Sequence, residues 1–167
     1  ITYTTPILYE NDTFYVGSML LEYDTIQLGD SNIANALTAY PSPFNGNVKN
    51  VKEQYLYKAS ELRNLGLAEG NINSIMFDIL SASGITTLTD YSIKIGTTNE
   101  ESLATWITGL TEVFNDTVRI TNSSANYGWR NLQFADPFYY DGTSNLIIEI
   151  CFTRQESDAR NVRTKYS

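Results

Sequence analysis

Aromatic residues in loops and at strand ends are the side chains of this sequence best suited to contact a ligand. Flat rings can stack on sugar faces, and Tyr and Trp add a hydrogen-bonding group to that apolar surface. The alternative is that most of these rings are core or turn-locking residues, and burial is the prediction for Trp129, which follows a glycine at a strand start. The candidate ligand-binding rings are Tyr40, Phe44, Trp106, Tyr127, Tyr139 and Tyr140.

Oxygen-bearing side chains near the end of this aromatic region form a second candidate site. Asp136, Asp141 and Asn145 offer the hard oxygen ligands that calcium takes. The run from Asp141 to Asn145 also meets the needs of a tight hairpin, because Asp accepts backbone hydrogen bonds and the Gly that follows it adopts positive φ. The sequence favours the turn over the metal site, and it predicts no other cofactor.

Carboxylate pairs form a third candidate, since two carboxyl groups can hydrolyse a glycosidic bond without histidine. No spacing singles out two of the acidic residues as such a pair. Asp78 and Glu149 fall in alternating strands opposite the apolar positions, where solvated faces are expected. A hydrolase is therefore not predicted from the available carboxylates, which are Glu53, Glu61, Asp78, Glu112 and Glu149.

The composition excludes much of the chemistry that enzymes use. The 167 residues contain no His and one Cys, which removes Ser-His-Asp and Cys-His nucleophiles, His-ligated metals and intrachain disulfides. Cys151 lies in an apolar run and is expected to be a small buried hydrophobe. The formal net charge of -8 opposes phosphate backbones and anionic membranes. The chain is thus predicted to be no enzyme, to bind no nucleic acid and to insert into no membrane.

The elements that must position these side chains are β-strands. Apolar residues alternate over Ile75–Ile79, Tyr91–Ile95 and Leu146–Phe152, with turn-forming residues between these segments. Residues 29–46 are rich in Asn, Ser, Ala, Pro and Gly, which predicts a connection followed by an irregular loop. Six to eight short strands at this spacing predict an all-β fold, an antiparallel jelly-roll-like β-sandwich with one short helix.

The predicted helix and the predicted domain division complete the organisation. The helix is expected over Ala59–Leu65, with Ser60 as its cap and Gly66 at its end. Residues 1–27 are predicted to form two short strands or a linker, separate from a β-sandwich module over residues 28–167.

Short segments that occur in one order carry a family resemblance. They are Ile26-Gln27-Leu28-Gly29-Asp30, Tyr40-Pro41-Ser42-Pro43-Phe44, Gln54-Tyr55-Leu56-Tyr57-Lys58-Ala59-Ser60-Glu61-Leu62, Gly66-Leu67-Ala68-Glu69-Gly70-Asn71-Ile72, Ile93-Lys94-Ile95-Gly96-Thr97-Thr98, Gly128-Trp129 and Asp141-Gly142-Thr143-Ser144-Asn145. On these segments the chain resembles a β-sandwich module of large surface and secreted proteins of Bacteroidota, commonly cargo of the type IX secretion system. Residues 3–16 resemble the closing strands of an immunoglobulin-like domain that often precedes this module. Residues 161–166 resemble the last strand of the β-sandwich module.

The resemblance implies a non-catalytic module at the outer cell surface or outside the cell, for adhesion, carbohydrate binding or spacing. Its partners would be a polysaccharide or surface glycan and the neighbouring domains of the same parent chain. The alternative is a structural spacer or a strand-exchanging subunit of a surface filament, because unpaired strands in residues 1–25 would invite exchange. Asp24-Thr25-Ile26 and Asp116-Thr117-Val118 resemble Bacteroidota O-glycosylation sites, so Thr25 and Thr117 are candidate acceptors.

Overall fold

The fold is built almost entirely from β-strands. The structure is a computed structural model that describes residues 25–28, 33–34, 43–44, 49–154 and 162–166. None of the helices in those ranges is long and apolar enough to cross a membrane. In chain order the elements are β1 (Ile33–Ala34), β2 (Asn50–Tyr57), α1 (Ala59–Asn64), β3 (Gly70–Ala82), β4 (Thr86–Thr98), β5 (Thr111–Ile120), a 3₁₀ turn (Ser124–Asn126), β6 (Gly128–Tyr140), β7 (Asn145–Thr153) and β8 (Val162–Tyr166).

The strands form two antiparallel sheets that pack face to face. Sheet I has the order β1-β8-β3-β6, and sheet II has the order β2-β7-β4-β5. This order is that of an eight-stranded jelly roll, and the predicted all-β sandwich with one short helix is confirmed. Ile33 and Ala34 pair with Tyr166 and Lys165, so the segment predicted as a connection contributes a short edge strand. Residues 1–24 lie outside the described residues, and the predicted division at residue 27 stays a prediction.

Strand β7 is the most buried strand because it lies between β2 and β4 in sheet II. Its predicted apolar face, Leu146 to Phe152 at every second position, faces the other sheet as expected. Ile147 on the opposite face is also fully buried. The loop between β4 and β5 causes this burial. Gly96 pairs with Ile147 and lies directly beneath Leu110 of this loop, because a Cβ on Gly96 would be only 2.6 Å from Leu110 Cδ2. This loop therefore rests directly on the outer face of sheet II.

Stacked aromatic rings fill the centre of the sandwich. The Tyr91 ring lies between Phe44 and Phe152, with centroids 5.5 Å and 5.8 Å away and nearly parallel planes. Phe77 and Phe114 meet this stack edge-on. Phe44 is fully buried, so the expectation that its ring is available to a ligand is wrong. Phe44 occurs in a segment with no alternation of apolar and polar residues, so the sequence does not assign its side chain to the core or to the surface.

The short helix α1 follows β2 after a single residue. Lys58 is its N-cap residue in place of the predicted Ser60, because the strand ends at Tyr57 and the chain turns at once into the helix. The Glu61 carboxylate accepts a hydrogen bond from the Lys58 backbone N–H at 3.1 Å. The helix ends at Asn64, one residue before the predicted end, and Gly66 follows the C-cap residue Leu65 with a φ of 93° that suits the glycine predicted to stop the helix.

Candidate functional site

Both tryptophans of the chain expose more than half of their surface. Trp106 is 54% exposed and Trp129 is 52% exposed, whereas Trp usually buries most of its large ring. Trp106 lies in the loop between β4 and β5, and Trp129 is the second residue of β6. The predicted burial of Trp129 is wrong. Trp129 lies three residues before Leu132, which faces the core, so its side chain points to the opposite side of the strand and outward from sheet I.

The side chain of Gln54 holds the backbone next to Trp106. Its Oε1 accepts a hydrogen bond from the N–H of Ile107 at 2.9 Å, and its Nε2 donates to the carbonyl of the same residue at 2.7 Å. Nε2 also lies within hydrogen-bonding distance of Glu149 Oε2, at 2.7 Å. Because Gln54 projects from the outer face of β2, these bonds place Trp106 above sheet II.

Charged side chains and one amide form a row on this same face. Gln54, Glu149, Lys94 and Glu112 occupy one register across all four strands of sheet II. Lys52 Nζ lies 3.1 Å from Glu149 Oε2 and 4.7 Å from the centroid of the Trp106 ring. The ammonium group thus joins a carboxylate and an aromatic ring, as an ion pair and a cation–π contact. We call Trp106, Lys52, Gln54, Lys94 and Glu149 the Trp106 face.

Glu149 is the electrostatic centre of the Trp106 face. It is only 4% exposed, and Lys94 Nζ lies 3.9 Å from its second oxygen. Burial alone would raise the pKa of this carboxyl group, but the hydrogen bond from Gln54 and the hydrogen bond and charge of Lys52 outweigh it, so the pKa lies below its ordinary value. Glu149 is therefore an ionised, fixed acceptor under neutral conditions.

Cys151 lies beside Glu149 on the Trp106 face instead of in the core. Its Sγ lies 3.7 Å from Glu149 Oε1, and the side chain is half-buried. Burial first, and then the neighbouring carboxylate, raises the pKa of the thiol. The expectation of a fully buried hydrophobe is corrected: Cys151 is a protonated thiol at the border of the polar row.

The five acidic residues considered as hydrolase candidates lie in separate environments. Glu53 points into the sandwich, and Glu61 serves the start of α1. Asp78 lies on the outer face of sheet I, 7% exposed, and forms an ion pair with Lys165. Among the five, Glu112 and Glu149 share a face, with Lys94 in register between them. Asp78 and Glu149 lie opposite the core as predicted, but lysines cover them where solvated faces were expected.

The remaining candidate rings divide between surface and interior. Tyr139 is exposed and donates a hydrogen bond to the Glu69 carboxylate, which is the main reason that its pKa is raised. Tyr140 is fully buried and donates to the carbonyl of Ser144 at 2.8 Å, so its predicted availability to a ligand is wrong. Tyr127 is half-buried, with its hydroxyl bonded to backbone atoms. Tyr40 lies outside the described residues.

The oxygen-rich segment after β6 forms a tight turn. The Asp141 carboxylate accepts hydrogen bonds from the N–H groups of Thr143 and Ser144 at 2.7 Å and 2.8 Å, and from the Ser144 hydroxyl at 2.6 Å. These bonds, with the Ser144 hydroxyl first, lower the pKa of Asp141 to about 2. The turn borders an open groove of about 430 Å³, which is lined by Arg63, Gly66, Leu67, Ala68, Glu69, Asp141, Gly142 and Thr143.

The three candidate calcium ligands have different surroundings. Asp136 is exposed on β6. Asn145 is buried, accepts a hydrogen bond from the N–H of Ala59 at 2.8 Å and donates one to the carbonyl of Glu100 at 2.9 Å. Within the described part of the chain, no group of three or more acidic, His or Cys side chains could hold a metal ion. The hydrogen bonds of Asp141 are those expected for a turn, and calcium binding stays a prediction.

The two candidate glycosylation sites are accessible. Thr25 and Thr117 are both exposed. Thr117 lies in the edge strand β5, where its backbone N–H donates to the carboxylate of Asp116 at 2.6 Å. Their modification stays a prediction.

The Trp106 face includes residues that the sequence patterns did not single out as a site. Lys52, Gln54 and Lys94 are polar residues whose neighbours on other strands cannot be read from local patterns. The contact between Gln54 and Ile107, for example, joins positions 53 residues apart. No protein-family model, curated protein or solved structure matches this chain. The structure shows a two-sheet antiparallel β-sandwich domain with aromatic rings exposed on its surface.

Proposed function

We propose that this domain is a non-catalytic carbohydrate-binding module of a large surface or secreted protein, and that the Trp106 face is its ligand platform. The observation that supports this most directly is the exposure of the Trp106 ring. A Trp side chain buries on the order of 200 Å² when it is enclosed, so the exposed half leaves about 100 Å² uncovered. At ~25 cal/mol per Å², covering that surface with a sugar ring would contribute about 2.5 kcal/mol.

The surroundings of Trp106 suit recognition of a hydroxyl-rich ligand. Gln54 fixes the loop backbone and Lys52 lies over one face of the ring, which reduces the conformational freedom lost on binding. A sugar would stack on the other face. The ammonium groups of Lys52 and Lys94 retain donors for sugar hydroxyl groups, because Glu149 Oε2 accepts from Lys52 at 3.1 Å and Lys94 Nζ, 3.9 Å from Oε1, forms an ion pair without a hydrogen bond.

The state of Glu149 supports binding over hydrolysis. A glycosidase needs one carboxylic acid whose pKa is raised, so that it can protonate the leaving group. Glu149 has a lowered pKa and is held by two lysines. Lys94 also lies in register between Glu149 and Glu112, which are the two of the five candidate acidic residues that share this face.

The resemblance to surface modules of Bacteroidota supports an extracellular or outer-surface setting and partners among glycans and neighbouring domains. The alternative, a spacer or a strand-exchanging filament subunit, depends on residues 1–25. Only Thr25 of that segment is among the described residues. A protein that binds no glycan but assembles with increasing concentration, and loses assembly when residues 1–25 are deleted, would favour that alternative.

Binding to carbohydrate tests the proposal directly. The purified domain is screened by pull-down on insoluble cellulose, xylan, chitin and mannan and on a glycan array. We expect retention by at least one glycan, and an about 60-fold weaker affinity for Trp106→Ala, equivalent to ~2.5 kcal/mol. Leu103→Ala removes an exposed apolar side chain from the same loop and is the matched control, expected to bind as the wild type does.

Two outcomes would contradict the proposal in different ways. If no glycan retains the wild-type protein, the carbohydrate-binding function is wrong. If a glycan binds Trp106→Ala and Leu103→Ala equally well, the domain binds carbohydrate but the Trp106 face is not its platform.

A further inference from the structure

We propose that the outer face of sheet I carries a second carbohydrate site centred on Trp129, and that the domain thereby bridges two polysaccharide chains. The inference rests on the proposed function for the class of ligand, but on different residues for the site. We call Trp129, Asp78, Lys165 and Asn131 the Trp129 face.

Trp129, Asp78 and Lys165 form a row across three neighbouring strands, and Asn131 lies two residues from Trp129 on the same side of β6. Trp129 on β6 pairs directly with Asp78 on β3, and both side chains point away from the core. Lys165 on β8 approaches Asp78 from the other side, with Nζ 2.8 Å from Oδ2. Neighbouring strands are about 4.8 Å apart, so the row extends over about 10 Å, comparable to a disaccharide.

Each member of this row has hydrogen-bonding capacity left for a ligand. Lys165 contacts Asp78 through Oδ2, and Trp129 and Asn131 are both exposed, so the indole N–H and the side-chain amide can face a ligand. Lys165 holds Asp78 in place, and only 7% of Asp78 is exposed, so its second oxygen is a fixed acceptor beside the ring. Vicinal sugar hydroxyls could donate to that charged oxygen and accept from Lys165 and Asn131.

The combination distinguishes this face from an ordinary charged surface. A surface ion pair alone contributes little stability, and single exposed apolar residues are common. Here a half-exposed Trp, a nearly buried carboxylate and two donors lie on one face of one sheet, which supplies apolar area and polar recognition together.

The two tryptophan faces point in opposite directions. Trp106 lies above sheet II and Trp129 on the outside of sheet I, and packed sheets are about 10 Å apart. One extended polysaccharide chain cannot lie flat on both outer faces. Occupation of both sites therefore joins two chains, or two segments of a folded-back chain, and raises the retention of the module on a dense glycan surface.

Stoichiometry tests the second site separately from the first. The whole protein is titrated by calorimetry with cellohexaose, xylohexaose, chitohexaose and mannohexaose. We expect two molecules of one hexasaccharide to bind each wild-type chain, and one to bind each of Trp106→Ala and Trp129→Ala. The double variant should bind none. Leu80→Ala, which removes an exposed apolar side chain from β3 of the same sheet, should still bind two.

A bridging assay measures the consequence. Protein adsorbed on the insoluble polysaccharide should capture the matching fluorescent hexasaccharide, and Trp129→Ala should lose most of that capture while it stays adsorbed. Asp78→Asn is a second, nearly isosteric variant and should weaken the second site about tenfold while its melting curve remains cooperative.

The results separate the two proposals. One bound molecule per wild-type chain, or wild-type stoichiometry in Trp129→Ala, overturns the second site; in either case Trp106-dependent binding would leave the proposed function standing. Failure of all four hexasaccharides to bind the wild type overturns the second site, whereas the proposed function is overturned only if the glycan screen also finds no ligand.

Discussion

Two tyrosines beside a carboxylate in the sandwich interior should respond in opposite ways to the loss of a hydroxyl group. Glu53 pairs with Ile150 and faces the core, and Tyr55 donates a hydrogen bond to its carboxylate. The Tyr91 hydroxyl is fully buried and has no hydrogen-bond partner among the described residues. Burial first, and then the charge of Glu53, raises the pKa of both tyrosines.

The magnitudes follow from what each substitution removes. Tyr91→Phe deletes a buried, unpaired hydroxyl whose desolvation costs about 1–3 kcal/mol, and the ring stack stays intact, so we expect a gain of ~1 kcal/mol in the free energy of unfolding. Tyr55→Phe removes a hydrogen bond to a carboxylate, worth about 1.5–3 kcal/mol, so we expect a loss of ~2 kcal/mol. In a domain of this size the melting temperature should rise by about 2–4 °C for the first variant and fall by about 4–8 °C for the second.

Chemical and thermal unfolding at neutral pH measure both changes, with Tyr57→Phe as the matched control. Tyr57 lies on the same strand face as Tyr55 and is also partly buried, but it does not bond to Glu53, so Tyr57→Phe should not show the loss expected for Tyr55→Phe. A Tyr91→Phe variant that is less stable than the wild type by about 1 kcal/mol or more would show that the Tyr91 hydroxyl has a stabilising partner. That result would refute the reasoning.

The turn between β6 and β7 allows two further predictions. Gly142 has a φ of 72°, and a Cβ there would lie 2.8 Å from the backbone nitrogen of Glu69, so Gly142→Ala should lower the free energy of unfolding by about 2–3 kcal/mol, measured in urea. Gly109→Ala has a similar φ of 77° but open space around it, and should lose only about 1 kcal/mol; equal losses would contradict the close approach. The pKa of Asp141 is about 2 in the folded protein against an ordinary 3.8, so its stabilisation is present above pH ~4 and is lost as the pH falls towards 2. The melting-temperature advantage of the wild type over Asp141→Asn should therefore shrink from pH 5 to pH 2, and a constant difference would contradict the assigned hydrogen bonds.

Local periodicity predicted the strands but not the neighbours across them. The alternation from Leu146 to Phe152 identified the core face of β7, because side chains two residues apart point the same way. The same rule, applied from Leu132 back to Trp129, would have placed that ring outside. Phe44 offered no such signal, since its segment has no periodicity and its burial arises from contact with Phe77 and Tyr91.

The arrangement of the Trp106 face depends on strand register, which the sequence does not state. Lys52 and Gln54 meet Glu149 because β2 pairs with β7, although Glu149 lies almost a hundred residues further along the chain. Lys52 and Gln54 lie two residues apart, so a strand there places them on one face. Which side chains of β4 and β7 lie beside them, and that the loop carrying Trp106 covers them, follows only from the folded topology.

The loop between β4 and β5 is attached to the sandwich in a way that leaves its side chains open to change. Gln54 bonds to the backbone N–H and carbonyl of Ile107, and Asn145 bonds to the backbone carbonyl of Glu100. None of these three bonds depends on which side chain the loop residue carries. Substitutions at Trp106 can therefore alter the recognition surface while the scaffold stays the same, so related sequences can diverge in specificity by point mutation without insertions or deletions.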